Sequence, residues 1–350
     1  MQGVVFLGGR KLEIRDFPDP TPGPRDVVLE IKASGMCGSD LHQYRADPQP
    51  EGAVTGGIKR VAGTIGGHEP CGVVVAVGSG VTDKDARIGQ RVMNHHYEGC
   101  GGCKHCRGGW TQMCLDGTIV YGSGANGGHA KYMRAPVDSL IPLPDSLSFE
   151  TGAAVSCGTG PAYGALKRVN LQGGETIAIF GQGPVGLSAT QLAVAMGARV
   201  IAVDVSPERL QLAKEFGAQE LINGRNNDTV AAIRDLTHGE GAHKTLDASS
   251  APDARAATVR AVRSWGTACF VGERGQVTLD VSPDLLRRQV TLVGSWTFSR
   301  QGQADCAEFV ADNKVDVDKL FTHRWKLDQA EEAYKLFDQQ TTGKAVIMPS

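Results

Sequence analysis

Four cysteines fall within fifteen residues, Cys100, Cys103, Cys106 and Cys114, spaced C-x2-C-x2-C-x7-C. Thiols gathered this closely satisfy tetrahedral Zn²⁺, which binds four thiolates in a closed structural site. The glycines around them, Gly99, Gly101, Gly102, Gly108 and Gly109, let the chain turn tightly about an ion. An iron–sulfur cluster is the rival, because C-x2-C-x2-C also begins ferredoxin motifs, but there the fourth cysteine follows after three residues and precedes proline. Here Cys114 follows after seven and precedes Leu115. Free thiols are the third reading. Disulfides are disfavoured: Met1–Leu7 lacks the basic flank and length of a secretory signal, and a chain of this size needs no staples. A closed site would hold a lobe, about residues 95–115, and would not itself catalyse.

A second set is scattered. Cys37 lies in Gly35-Met36-Cys37-Gly38-Ser39-Asp40-Leu41-His42, His68 in Gly66-Gly67-His68-Glu69, and Cys157 in Ser156-Cys157-Gly158-Thr159-Gly160. Taken singly, each is an ordinary core cysteine or satisfied histidine. Together they make Cys₂His, a donor set that leaves a fourth position for water or substrate on a catalytic zinc.

The third motif is Gly181-Gln182-Gly183-Pro184-Val185-Gly186, G-x-G-x-x-G. In a chain with 46 glycines it is weak alone. Its context is specific: a short apolar strand before it, an apolar helix after it, and a second strand ending at Asp204, 18 residues beyond Gly186. That is the dinucleotide-binding fingerprint, with the helix N-terminus facing the pyrophosphate. Asp204 would accept hydrogen bonds from the adenosine ribose and repel a 2′-phosphate, and no arginine directly follows it, so NAD is favoured over NADP. Arg209 lies against the adenine or is a solvated helix residue.

The elements that must carry these residues form two patterns. Up to about residue 157 the chain is β-rich: a first strand at Met1–Leu7, then Val27–Lys32, Gly72–Val77 and Arg91–Met93, with Pro and Gly clusters between. From 158 to 297 strands alternate with helices: Tyr163–Val169 helical, Thr176–Phe180 a strand, Pro184–Met196 helical, Arg199–Val203 a strand, Pro207–Phe216 helical. Strands near Lys244–Leu246, Ala268–Val271 and Gln289–Val293 follow. Such alternation implies an α/β, doubly wound parallel sheet of Rossmann type. The segment 298–350, with a helix near Asp328–Gln339 and a strand at Ala345–Met348, is expected to pack back on the first domain. A net charge of −2 argues against nucleic-acid and membrane partners. Nine cysteines without a disulfide framework point to a reducing cytoplasm, with Cys71, Cys269 and Cys306 read as small buried hydrophobes.

Taken in order, C-G-S-D-x-H, G-H-E, the four-cysteine lobe, G-x-G-x-x-G and the closing T-G-K-A-V-I resemble a zinc-dependent alcohol dehydrogenase of the medium-chain dehydrogenase/reductase family, over essentially the whole chain. The resemblance implies a GroES-like catalytic domain plus a Rossmann domain with the active site in the cleft between them, two zinc ions per chain, and a homodimer or homotetramer. It matches Cys37, His68 and Cys157 to the catalytic zinc ligands and Glu69 to a carboxylate that ligates transiently, or permanently in some polyol enzymes. Asp40 matches the acid orienting the histidine ligand, Ser39 the hydroxyl that receives the substrate proton, and His42 the end of the proton relay. Sugar and polyol members often carry Glu where Cys157 stands, which favours simple alcohols. His95 and His96, near where simple-alcohol enzymes place apolar pocket residues, pull the other way. The implied reaction interconverts an alcohol or polyol and its carbonyl compound by hydride transfer to NAD. The alternatives are a sugar- or polyol-specific enzyme, a zinc-free quinone or enoyl reductase, and a zinc- and nucleotide-binding redox sensor without turnover.

Overall fold

The computed structural model describes residues 1–47, 54–55, 58–59, 61–339 and 343–350. Thr342 of the closing motif is outside them. The chain divides into two compact units: Met1–Cys157 with Phe298–Asp312 and Phe321–Ser350, and Gly158–Thr297 with Asn313–Leu320. Among the described residues no helix is long and apolar enough to cross a membrane.

The first unit is built on a mixed seven-stranded sheet. Its path runs Leu140–Pro142, Arg91–Asn94, Glu69–Val77, Asp26–Gly35, Lys344–Met348, Phe321–Lys326, and Tyr132–Pro136 also pairs with Asp26–Gly35. All these pairs are antiparallel except the last two strands of the path. Two registers matter for chemistry. Gly35 faces Glu69 across one ladder, and Val346 faces Gly35 across the next. Three strand ends therefore converge, and each runs into a motif: Cys37 just after Gly35, His68 just before Glu69, and Lys344 at the start of the third strand.

A helix over Gly38–Arg45 follows the first of these ends. Its apolar side, Leu41 and Tyr44, enters a core with Val4, Met36, Ala333, Tyr334, Phe337 and Ile347, so the C-terminal helix Ala330–Asp338 clamps it down. The helix Phe149–Val155 begins at Ser148, whose Oγ accepts from Thr151 N at 2.9 Å, satisfying an end donor that would otherwise be orphaned. It lies directly on the strand that carries His68 and Glu69: a Cβ at Gly152 would stand 2.4 Å from Cys71 Sγ. That close approach delivers Cys157, at the helix end, beside His68. Cys71, Cys269 and Cys306 are all fully buried.

The second unit is a six-stranded, wholly parallel sheet. Its order is Glu220–Asn223, Arg199–Asp204, Thr176–Phe180, Ala242–Asp247, Val262–Phe270, Thr291–Gly294, so the first strand in sequence lies third and the order reverses beside it. This is the doubly wound Rossmann arrangement. Thr176–Phe180 is buried along its whole length, which is why it reads as an unbroken apolar run rather than an alternation. The last strand starts at Thr291 rather than Gln289, because Gln289 takes a left-handed conformation (φ 52°) that ends the preceding turn. Helices over Thr229–Asp235, Pro252–Ala261 and Arg300–Asp312 carry weaker sequence signals and are additions to the sequence reading.

Candidate metal centres and nucleotide turn

Cys37 stands at the N-cap of the helix Gly38–Arg45, and Asp40 closes a capping box with it. Asp40 is fully buried and divides its carboxylate between two tasks. Oδ2 accepts from Cys37 N at 2.9 Å, and Oδ1 lies 3.0 Å from His68 Nδ1. Held this way, His68 keeps a proton on Nδ1 and turns Nε2 toward the cluster, the nitrogen a metal ion would take in place of a second proton. Burial works against a charged His68, but the Asp40 carboxylate outweighs it and raises the imidazole well above its ordinary value.

Around that Nε2 gather Cys37, Glu69 and Cys157, one donor atom of each of the four residues lying within 4.8 Å of the others. The Sγ atoms of Cys37 and Cys157 are 3.8 Å apart. Tetrahedral Zn–S bonds of about 2.3 Å place two thiolates at about that spacing. The hydrogen bond between them drives Cys37 well below the usual thiol value and Cys157 well above it, as one proton is shared by two sulfurs. Glu69 is fully buried, and its ion pair with Lys344 aside, neither carboxylate oxygen has a hydrogen-bond partner among the described residues. Burial pushes Glu69 up to about 7 against the pull of Lys344. Soft sulfur, an oriented imidazole and a buried carboxylate with one oxygen, Oε1, left without a partner among the described residues suit a zinc ion.

Ser39 Oγ is 3.2 Å from both Cys37 Sγ and His68 Nε2, at the edge of this cluster. His42 is half-buried one turn further along the same helix, where residues three apart are neighbours.

Cys100, Cys103, Cys106 and Cys114 also have donor atoms within 4.8 Å of one another. Gly101 and Gly109 take positive φ (71° and 79°), the conformation the sharp turns require. Cys103 N donates to Cys100 Sγ, and Cys100 N to Cys114 Sγ. Backbone donors hold Cys103 down at about 6, while burial pushes Cys106 up to about 12. Sulfurs this close fit one ion; a four-iron cluster stands between its thiolates and holds them wider apart.

In the second unit the glycines of the turn have separate reasons. Gly181 has φ 88°, and a Cβ there would stand 2.8 Å from Ser249 Cβ. A Cβ at Gly183 would meet open space, the space a pyrophosphate needs, and one at Gly186 would stand 1.7 Å from Gly181 O. Pro184 and Val185 begin the helix Pro184–Ala195 that follows. Free N–H groups at that end and an open Gly183 fit a dinucleotide.

Residues 23–145 match the alcohol dehydrogenase GroES-like domain, and residues 184–312 match the zinc-binding dehydrogenase domain. An uncharacterized zinc-type alcohol dehydrogenase-like protein of Escherichia coli (strain K12) is 39% identical over 356 residues, covering 99% of this chain and 98% of that one. Sorbitol dehydrogenase of Bacillus subtilis (strain 168) is 31% identical over 336 residues, covering 95% and 92%. The solved structure of alcohol dehydrogenase TADH from Thermus sp. ATN1 superposes with a TM-score of 0.88 at 28% identity, covering 99% of each chain. The chain belongs to the zinc-dependent alcohol dehydrogenases of the medium-chain dehydrogenase/reductase family. The dehydrogenase has a GroES-like domain and a Rossmann domain, and its cofactors are zinc and a nicotinamide dinucleotide. Its reaction is hydride transfer between an alcohol or polyol and that dinucleotide.

Asp204 of the dehydrogenase ends its strand and is nearly buried. Oδ2 accepts from Gln182 N at 2.6 Å and Oδ1 from Ser206 N at 2.9 Å, so it ties the glycine turn to the next helix. Arg209 is half-buried in that helix, and its backbone N donates to Ser206 Oγ.

Three groups near the first cluster have partners that no motif reading gives. The buried His129 links Ser34 Oγ (2.8 Å) to Tyr334 OH (2.7 Å). The His96 ring lies 5.1 Å from the His68 ring, with Nδ1 on Ser156 O at 3.0 Å. Lys344, 1% exposed, has Nζ 2.5 Å from Glu69 Oε2. Lys344 is the lysine of the closing T-G-K-A-V-I motif and opens an otherwise apolar strand, Lys344–Met348.

Proposed function

We propose that this dehydrogenase oxidises alcohols bearing a second hydroxyl near the reacting one, with NAD⁺ preferred to NADP⁺, at a zinc held by Cys37, His68 and Cys157. The observation that carries the reading is the joint placement of those three donors with Asp40 fixing the His68 tautomer. A dication in that position supplies Lewis-acid stabilisation to the substrate oxygen as its proton leaves. Every other part falls to the chain. Ser39 Oγ takes the proton at the edge of the cluster, and His42, one turn further along the same helix, passes it to solvent. Asp40 holds the Nδ1 proton of His68, so that Nε2 is the nitrogen left for the metal. The Gly181–Gly186 turn cradles the pyrophosphate, and Asp204 accepts from the ribose hydroxyls.

The second hydroxyl is argued from His96. Its Nδ1 faces a backbone carbonyl, which can only accept, so the proton sits on Nδ1 and Nε2 is an acceptor. Tyr97 (centroids 4.1 Å apart) and Phe298 (6.3 Å) hold the ring in place. An acceptor next to a metal ligand rewards a hydroxyl and gives nothing to a hydrocarbon chain. The test is a panel of vicinal diols, polyols and chain-matched simple alcohols, assayed with NAD⁺ and NADP⁺, with zinc measured on the same sample. Diols and polyols should show the higher kcat/KM. Equal rates with the simple alcohols would remove the role given to His96, and full activity without zinc would remove the metal centre.

The cofactor preference has its own test. Asp204→Ser should lower kcat/KM for NAD⁺ by about tenfold, the worth of about one hydrogen bond to a charged acceptor. NADP⁺ should lose less, because repulsion of its 2′-phosphate disappears with the carboxylate. An unchanged ratio between the two cofactors would discard the ribose contact.

A further inference from the structure

Asp247 is a fully buried carboxylate in the Rossmann unit that neither the glycine turn nor the metal centres use. It ends the strand Ala242–Asp247, level with Phe180 on one neighbouring strand and Phe270 on the other. The sheet order reverses between this strand and Thr176–Phe180. A doubly wound sheet binds its ligand there, across the carboxyl ends of the strands. Asp204, the acceptor for the adenosine ribose, ends a strand on one side of that point. The nicotinamide end then falls on the other side, over the loops that follow Asp247 and Phe270. Those two loops fold against each other. A Cβ at Gly272 would stand 2.5 Å from Ser250 Oγ, and one at Gly275 2.4 Å from Ser250 O. Ser250 and Arg274, one in each loop, take positive φ (66° and 67°) without being glycine. Such conformations persist only where the surroundings over-determine them.

One buried ion pair supplies that constraint. Arg255, 7% exposed, donates from Nε to Asp247 Oδ2 at 3.1 Å and from Nη2 to Gly272 O. Its guanidinium lies 5.5 Å from the centre of the Phe270 ring. Asp247 Oδ1 accepts from Ser249 N at 2.9 Å and Ser249 Oγ at 2.6 Å. The backbone oxygen of Asp247 accepts from Val271 N at 2.9 Å and Gly272 N at 3.0 Å. We propose that Arg255 is a positioning residue: through Asp247 and Gly272 O it locks the loops 248–251 and 271–275 into one seat for the nicotinamide end of the dinucleotide. The inference rests on the reading of Asp204 as the ribose acceptor, which fixes the side on which the adenosine lies. The planar fork of the guanidinium matters, because one N–H serves each loop at once. Buried under the loops, Arg255 acts through them.

The test compares two probes on the whole enzyme. NADH binding is followed by the change in its fluorescence, and ADP-ribose, which lacks the nicotinamide, is titrated by calorimetry. In Arg255→Met, NADH affinity should fall by about tenfold, the scale of one hydrogen bond to a charged group, while ADP-ribose affinity stays within about twofold of wild type. A general loss of structure would weaken both. Unchanged NADH affinity, or an equal loss for the two probes, overturns the proposal. Should Arg255→Met not fold, Arg255→Lys decides: an ammonium keeps the charge beside Asp247 but cannot fork to Gly272 O as well. NADH affinity should still fall, by about threefold, with ADP-ribose spared, and wild-type NADH affinity there overturns the proposal. Asp204→Ser, run alongside, should weaken both probes. ADP-ribose affinity unchanged in that variant would instead remove the ribose contact, and with it the side assigned to the nicotinamide.

Discussion

His68→Ala is expected to lower kcat/KM by at least about a thousandfold, a loss of ~4 kcal/mol in transition-state stabilisation, while NAD⁺ binds with little change. His68 supplies the one nitrogen among two thiols and a carboxylate, and it is the donor whose orientation the fold fixes most firmly, through Asp40. Alanine removes that donor and leaves the Asp40 carboxylate buried, with Cys37 N still donating to it and the imidazole partner gone. Metal affinity falls for both reasons. The residues proposed to bind NAD⁺, Gly181–Gly186 and Asp204, belong to the other unit, so NAD⁺ binding should be spared. The measurements are steady-state kinetics, calorimetric NAD⁺ titration and zinc content on one preparation. Turnover within tenfold of wild type with no zinc at this centre would show that the donors are a structural cluster and that the chemistry lies elsewhere. Loss of NAD⁺ binding alongside turnover would show a general folding defect instead.

Local signals in the sequence are read well because their physics is local. G-x-G-x-x-G is legible since Gly181 must adopt a positive φ and Gly186 must admit Gly181 O, demands that no neighbour in space can waive. The four-cysteine lobe is legible because its donor atoms are closed by turns of two and seven residues. The scattered set is different. That Cys37, His68, Glu69 and Cys157 meet depends on a strand register and on Gly152 lying against Cys71, and neither follows from spacing. Motif resemblance can nominate the four, and the fold supplies the reason they converge. Lys344 stands in the closing T-G-K-A-V-I motif, but its pairing with Glu69 is illegible for the same reason in stronger form: it reaches Glu69 only because a strand from the end of the chain inserts beside Asp26–Gly35. His129 and Tyr334 belong with it, paired across 205 positions of sequence. Helix existence is likewise plain where periodicity is strong and late where caps decide. The C-terminal helix spans Ala330–Asp338, after a 3₁₀ turn over Leu327–Gln329, instead of starting at Asp328.

The four-cysteine lobe should respond in the opposite way to the His68 centre. Cys103→Ser is expected to lower zinc content from two ions per chain to one and to drop the melting temperature by roughly 6–12 °C, about 3 kcal/mol spread over a unit of this size. The lobe has little apolar core of its own. Cys100 is exposed, Cys103 and Cys114 are half-buried, and only Cys106 of the four is buried. The ion would therefore do the work that hydrophobic burial does elsewhere in the chain. The lobe is also fastened to its unit by a few polar contacts: Gln112 Nε2 donates to Phe298 O at 2.8 Å, and Arg300 N to Gly109 O at 2.9 Å. Loosening it should expose residues 100–114 to limited proteolysis before the rest of the chain. Catalysis should persist below the lowered melting temperature, with kcat within about threefold of wild type, since no donor of the His68 cluster comes from the lobe. The checks are zinc analysis, calorimetry, mapped proteolytic cuts and kcat at low temperature. A variant that kept its melting temperature and lost its turnover would reverse the division between the two metal centres, because the closed set would then be the one on which the chemistry depends.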